Sequence, residues 1–207
     1  MASKIILMEE RILNKAREMF YSCGIRSVTM DDIARQMGVS KKTIYQFYSD
    51  KHQIVEKVIS ELVTSHGSKI KAFSQEAENA IHEVVLQSQS IAEIFQSLKP
   101  GFLFEVQRHF PEIWKLVDGH RKECVFLGIT RNLARGIEEE LYRPELQINT
   151  IAHIWQVQLR SAQNLQDFPA DQFTYQTLLN QLTELFLYGI SSPTGQQQVS
   201  KYFKLNN

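Results

Sequence analysis

The stretch Thr29–Lys51, TMDDIARQMGVSKKTIYQFYSDK, decides how this chain is read. Its pattern is that of two short helices joined by a tight turn, followed at once by the start of a third. Thr29 has the side chain of an N-cap, and Asp32, three residues on, can answer it in a variant of the capping box. Asp31 and Asp32 also set negative charge against the positive end of the helix dipole. Ile33, Ala34 and Met37 then form a small apolar face. Gly38 supplies the turn, because glycine enters the left-handed conformation that ends a helix without steric cost. Val39 reads as a buried plug and Ser40 as the cap of the next helix.

That next helix, expected over about residues 41–47, is not built like a core helix. Ile44, with Phe47 or Tyr48, can face inward, while Lys41, Lys42, Thr43, Tyr45 and Gln46 are left for the outside. Two cations fall in its first turn, where the dipole disfavours them, so a compensating negative charge is expected; a phosphate backbone would supply it. Lysine suits phosphate or guanine, glutamine suits adenine, and threonine suits a thymine methyl. Turn length, caps and polar outer face together predict a helix-turn-helix whose second member is a recognition helix. A surface helical hairpin with solvated charges would share the charge pattern.

The run from Ile12 to Val55 resembles the DNA-binding domain of the tetracycline-repressor (TetR) family of transcriptional regulators. The resemblance rests on Ala16, Phe20, Gly24, Thr29, Ile33, Ala34, the turn Gly38-Val39-Ser40, then Thr43, Ile44, Tyr45 and Lys51. It implies a DNA-facing set of Thr29, Ser40, Lys41, Lys42, Thr43, Tyr45, Gln46, Tyr48 and Lys51. Within that set Thr29 would cap its helix against a phosphate, and Lys51 would hold a phosphate at the start of the fourth helix. Two positions depart from the family pattern. The order Phe47-Tyr48 reverses the usual one, which makes Tyr48 the candidate for the phosphate contact expected at 47. His52 stands where an acidic residue is common, weakening a capping box from Ser49.

Composition sets the broad limits. With 207 residues, 43% hydrophobic and 22% charged, the chain can bury a core and is unlike a disordered one. Net charge is zero, but residues 1–60 carry 10 Lys and Arg against 7 Asp and Glu, and the remainder carries the opposite imbalance. A mildly basic end on a mildly acidic body is consistent with a DNA reader joined to a regulatory part. Cys23 and Cys124 have no metal-binding spacing and are expected as buried free thiols. The apolar run Ile5-Ile6-Leu7-Met8 is too short for a signal peptide and no window is long enough to span a membrane, so a cytoplasmic, nucleoid-associated protein is expected.

Apolar periodicity is helical throughout, and the expected fold class is all-α. A helix over 3–23, the helix-turn-helix, and a fourth helix opened by Ser49 or Asp50 come first. Prolines at 100, 111, 144, 169 and 193 then punctuate helices expected over 75–97, 101–109, 111–118, a long one to about Tyr142, 146–166, 170–190 and 194–203. The expected domains are 1–50, for DNA binding, and 51–207, for dimerisation and ligand sensing, with the helix from about 50 linking them. Lys4 is a further candidate for a phosphate or minor-groove contact.

The helices expected over 146–166 and 170–190, with Leu165 near the end of the first, carry apolar stripes wider than one core contact needs. Ile151, Trp155, Leu159, Leu178, Leu182, Leu185 and Phe186 are the expected dimer interface, and the resemblance implies a four-helix pairing of these helices with their copies. A reader with one recognition helix binds as a dimer over two half-sites, which makes a palindromic operator the expected partner. Phe102, Phe104, His109, Trp114, Phe126 and Trp155 fall where the resembling family keeps a pocket for a small-molecule effector. No cofactor or metal is expected. No histidine has a Glu three residues before it, and the chain has neither a phosphate-binding glycine loop nor a nucleophile elbow, so an enzyme is not expected. A helical protein-interaction adaptor is the alternative, and it would tolerate loss of Lys41 and Lys42.

Overall fold

A computed structural model describes residues 2–162, 168–169 and 171–204; the side chains of Lys4 and Ile5, together with Leu165 and Ala170, lie outside that description. The described residues form α1 (Ala2–Cys23), α2 (Met30–Met37), α3 (Lys41–Tyr45), α4 (Lys51–Glu76), α5 (Ala80–Ser97), α6 (Phe102–His109) and α7 (Pro111–His120). A π-helical segment, Arg121–Phe126, precedes α8 (Leu127–Glu138), α9 (Ile148–Ser161), α10 (Tyr175–Ile190) and α11 (Pro193–Lys204). The only extended pairing among the described residues is an isolated bridge between Tyr142 and Ser191. The fold is all-α, as the periodicity predicts.

The chain divides into two compact units, residues 1–64 with 97–118, and residues 65–96 with 119–207. The expected boundary at residue 50 is therefore not where the units part. In the first unit Ile12, Ala16, Phe20, Ile25, Ile33, Ile44, Ile54 and Ile59 are fully enclosed, so the first half of α4 shares one core with α1 to α3. An ion pair between Arg17 and Glu61 ties α1 to α4 on the outside of that core. Segment 97–118 is fastened to the end of α1. The Lys99 N–H donates to the Tyr21 carbonyl at 2.7 Å, the Lys99 ammonium to the Cys23 carbonyl at 2.8 Å, and Tyr21 meets Phe102 edge-on at 5.3 Å. Cys23 is exposed and Cys124 half-buried, which corrects the expectation of two buried thiols. Cys23 is the last residue of α1, beyond the point where the Ile12–Ala16–Phe20 row enters the core.

The second unit has its own core, including Ile81, Val84, Ile129, Leu133, Tyr142, Trp155, Leu179, Phe186 and Leu187. Trp155 stacks on Phe186 with ring centroids 4.3 Å apart. A charge is buried beside this core and fully partnered, as burial of a carboxylate requires. Glu83 accepts from Asn132 Nδ2 at 3.0 Å and from Arg135 at 3.4 Å; Arg135 also donates to Glu139 at 2.6 Å. The Tyr142 hydroxyl closes the network by donating to Asn132 at 3.1 Å.

Several helix boundaries differ from expectation. α9 covers Ile148–Ser161, within the expected 146–166, and α10 begins at Tyr175 and not at 170, behind an N-cap at Thr174 whose side chain accepts from the Thr177 N–H. Two more differ for local reasons. α4 runs on to Glu76, so the next helix begins at Ala80 and not near 75; the Ala80 N–H is capped from a distance by Glu139 at 2.8 Å. The helix expected to reach Tyr142 stops at Glu138, because Glu140 takes a positive φ of 57° and turns the chain. That turn folds Tyr142 back so that its N–H donates to the Gly136 carbonyl at 2.9 Å.

Candidate nucleic-acid interface

The caps read from the sequence are built as drawn. Thr29 Oγ1 accepts from the Asp32 N–H at 3.1 Å, and the Asp32 carboxylate accepts from the Thr29 N–H at 3.0 Å, a complete capping box. The hydrogen bonds from Thr29 hold the Asp32 carboxyl below its usual value. Gly38 ends α2 at φ 66°, and its N–H donates to the Arg35 carbonyl at 3.2 Å while the Val39 N–H reaches Ala34 at 3.0 Å. Ser40 Oγ then accepts from the Thr43 N–H at 3.1 Å to start α3. Three capped ends within fifteen residues leave the angle between α2 and α3 little freedom.

Around this turn Ile44 is fully buried, while Ser40, Lys41, Lys42, Tyr45 and Gln46 are exposed and Thr43 is half-buried. The exposed Tyr45 ring lies 5.8 Å from the Lys41 ammonium. These side chains share one continuous outer face of a five-residue helix, shorter than the span expected to Phe47. The negative charge that the two first-turn cations demand comes partly from within the chain. Lys41 pairs with Asp31 at 2.7 Å, and that hydrogen bond raises its pKa. Lys42 stays exposed on this face, and the paired side chains of Lys41 and Asp31 are themselves 55% and 53% exposed.

Two members of the expected DNA-facing set are placed differently. Tyr48 is buried at 5% exposure, and its hydroxyl is enclosed without a partner; burial foremost, then Glu9 and Glu61, pushes its pKa up to about 12. The expectation that Tyr48 offers its hydroxyl to a phosphate is corrected: with Ile44 it fills the core under the turn. Lys51 donates to the carbonyls of Ile25 at 3.1 Å and Val28 at 3.0 Å, and so buttresses the link between α1 and α2. Burial lowers its pKa, offset in part by Glu105. An ammonium has three donors, so one remains for a phosphate. The start of α4 is capped one residue later than Ser49. Asp50 Oδ1 accepts from the Gln53 N–H at 3.0 Å, and the Gln53 side chain accepts from the Ser49 N–H at 2.9 Å.

The six expected pocket residues are divided between the two units, four in the first and two in the second. Phe102 is enclosed in the first unit against Tyr21, Phe104 is 61% exposed, His109 is exposed and Trp114 half-buried. Phe126 packs on His153 at 4.6 Å. Of the six only Trp155 lines the narrow cavity inside the second unit. That cavity is walled by His66 and Ile70 of α4, Val84, Gln87, Ser88 and Ile91 of α5, Val125 of the π segment, Ile129 of α8, and Trp155 and Leu159 of α9. Sequence reasoning missed His66. The signal was its place in the row Ile59–Leu62–His66–Ile70, which puts an imidazole where an apolar residue belongs.

The residues expected at a dimer interface also divide. Trp155, Leu159 and Phe186 are buried in the chain's own core, at 4%, 7% and 7% exposure, a correction to their assignment. Ile151, Leu178 and Leu182 are half-buried and Leu185 is 69% exposed; Ile154 and Val157, one step round α9 from Trp155, are exposed as well.

Residues 12–58 match the model of bacterial regulatory proteins, tetR family. An uncharacterized HTH-type transcriptional regulator of Bacillus subtilis, YvaF, is 29% identical over 117 residues, covering 56% of this chain and 61% of that protein, less than two thirds of its length. Among solved structures, two illustrate the likeness of fold over most of the chain. A TetR-family regulator from Agrobacterium tumefaciens superposes with a TM-score of 0.72 at 16% identity, covering 89% of this chain and 97% of that one. The regulator FadR from Bacillus subtilis, in complex with stearoyl-CoA, does so with a TM-score of 0.68 at 17% identity, covering 87% and 98%. The matched segment, residues 12–58, holds the caps at Thr29, Gly38 and Ser40, and over that segment the chain is similar to the bacterial regulatory proteins of the tetR family.

Proposed function

We propose that this chain acts as a homodimeric repressor that reads a palindromic operator through α3 and is released from it by a small molecule. One observation carries the DNA-reading part. Caps at Thr29, Gly38 and Ser40 hold a helix whose outward side chains are Ser40, Lys41, Lys42, Thr43, Tyr45 and Gln46, with little apolar surface to bury. A helix kept rigid yet presenting only polar and cationic groups suits a major groove. The Lys41–Asp31 pair lies on the surface, screened by solvent, so a phosphate can take over Lys41 on binding. Thr29 and the spare donor of Lys51 are assigned to flanking phosphates.

The dimer is assigned to the outer faces of α9 and α10, where Ile154, Val157 and Leu185 are exposed with Leu178 and Leu182 beside them. Release follows if a ligand favours a dimer whose recognition helices are wrongly spaced for successive major grooves. FadR, in its complex with stearoyl-CoA, is a precedent for a small-molecule partner in this fold. The test is operator binding by Lys42→Ala and Tyr45→Ala, with the dimer followed by sedimentation. Each variant is expected to lose about tenfold or more in affinity and stay dimeric. Unchanged binding by both would remove α3 from the interface.

A further inference from the structure

The exposed side of the helix-turn-helix carries carboxylates that meet its own cations. α2 has two acids in its first turn, Asp31 and Asp32. Asp31 Oδ1 accepts from the Lys41 ammonium at 2.7 Å across the turn, and Asp32 Oδ1 lies 3.4 Å from the Arg35 guanidinium. The fold itself accounts for Asp32, which completes the capping box with Thr29. It does not account for Asp31 in the same way. Beyond a favourable place at the positive end of the α2 dipole, its side chain has Lys41 as its sole polar partner among the described residues. Lys41 opens α3 on the outer face, with its ammonium 5.8 Å from the Tyr45 ring. Lys42 beside it is exposed and makes no ion pair among the described residues. One of the two cations of α3 is thus neutralised from within and the other is left free. To an ammonium, a carboxylate oxygen and a phosphate oxygen are equivalent partners, each a negative acceptor at hydrogen-bond distance.

We infer that Asp31 is an internal competitor for the DNA backbone, an autoinhibitory contact that occupies Lys41 in the free protein and yields it to a phosphate on binding. Both partners are more than half exposed, so solvent and salt weaken the pair enough for the exchange. The Asp31 charge stays behind when Lys41 leaves it. It is then held on α2 well within a Debye length, about 8 Å at physiological salt, of the phosphate that replaced it. There it repels that phosphate and draws a cation back from solution. Both effects oppose the counterion release that drives binding to DNA. The chain therefore binds a duplex less tightly, and with a shallower salt dependence, than its outward cations alone would give. A weaker anchor also suits release, because a ligand shifts binding only by its differential affinity for the two states of the protein.

This inference rests on the proposed reading of DNA through α3. Its test uses the full chain and a fluorescein-labelled duplex of mixed sequence, about 30 base pairs long, because sequence-independent binding is almost wholly electrostatic. Asp31→Asn is expected to tighten binding about tenfold and to steepen the slope of log affinity against log salt by about one. Asp31→Glu keeps the charge and is expected to match the parent within about twofold. The gain has to pass through Lys41. In a Lys41→Ala background, Asp31→Asn is expected to change affinity by about twofold or less. Urea unfolding checks that each variant is folded, and Asp31→Ser takes the place of Asp31→Asn if that variant is not. No gain from removing the charge, or an equal gain with and without Lys41, would overturn the inference. Lys42→Ala distinguishes this failure from that of the reading beneath it. If Lys42→Ala weakens binding while Asp31→Asn changes nothing, α3 still meets DNA and only the competitor role falls. If Lys42→Ala changes nothing either, the reading falls and the inference with it.

Discussion

At Gly38 the backbone sits at φ 66°, and a Cβ built there would meet nothing within 4 Å. The conformation itself therefore sets the cost of a side chain. Gly38→Ala is expected to lose about 1–2 kcal/mol in urea unfolding and Gly38→Asn distinctly less, since asparagine tolerates the left-handed region. Thr29→Ala should cost about 1 kcal/mol by removing one half of a complete capping box. The Asp32 half carries a pH signature. Its carboxyl is held below its usual value in the folded chain, so its contribution is present above the unfolded value and lost as pH falls through the lowered one. Asp32→Asn should flatten that part of the acid limb of a stability–pH curve; an unaltered acid limb would mean the bond is not made in solution. These residues were legible because capping is a short-range code of residue type and spacing. Tyr48 and Lys51 were less so. Whether an aromatic hydroxyl points out or in, and which carbonyls an ammonium finds, depends on elements far off in the chain, here Ile25 and Val28 for Lys51.

Among the elements, the turn after α8 shows what periodicity cannot convey. Residues 127–142 look helical in sequence, yet Glu140 turns the chain and lays the Tyr142 ring over Gly136, where an added Cβ would sit 2.0 Å from the ring. Tyr142 is fully buried and hydrogen-bonded, so it has nowhere to go. Gly136→Ala is accordingly expected to destabilise by about 3 kcal/mol or more in chemical denaturation, a loss unusual for glycine to alanine in a helix. A gain in stability would show that the ring is free to move. The cavity followed the same logic. Aromatic residues mark where apolar mass lies, but Phe102, Phe104 and Trp114 belong to the first unit and Trp155 to the second. A list of aromatics drawn from a linear sequence had no means of separating them.

At the scale of the whole molecule, the proposed function assigns the outer side of α3 to DNA and the outer sides of α9 and α10 to a second copy. The apolar stripes of these two helices were legible in the sequence, but which residues face outward depends on the rotation of each helix, and Trp155 and Phe186 proved to stack inside. Leu185→Glu places a charge on the most exposed of these leucines without touching the core. It is expected to yield a folded monomer by analytical ultracentrifugation and to weaken operator binding with it; an intact dimer would move the interface elsewhere. The central claim is that a phosphate-anchored, sequence-reading dimer is built on α3. It is tested most directly by fluorescence anisotropy on fragments of DNA upstream of the gene, titrated with salt. The account predicts tight binding to a particular fragment, with log affinity falling steeply and linearly as log salt rises, and a shallower slope for Lys42→Ala by about one. Weak binding, equal for all fragments and unchanged by Lys42→Ala, would contradict it.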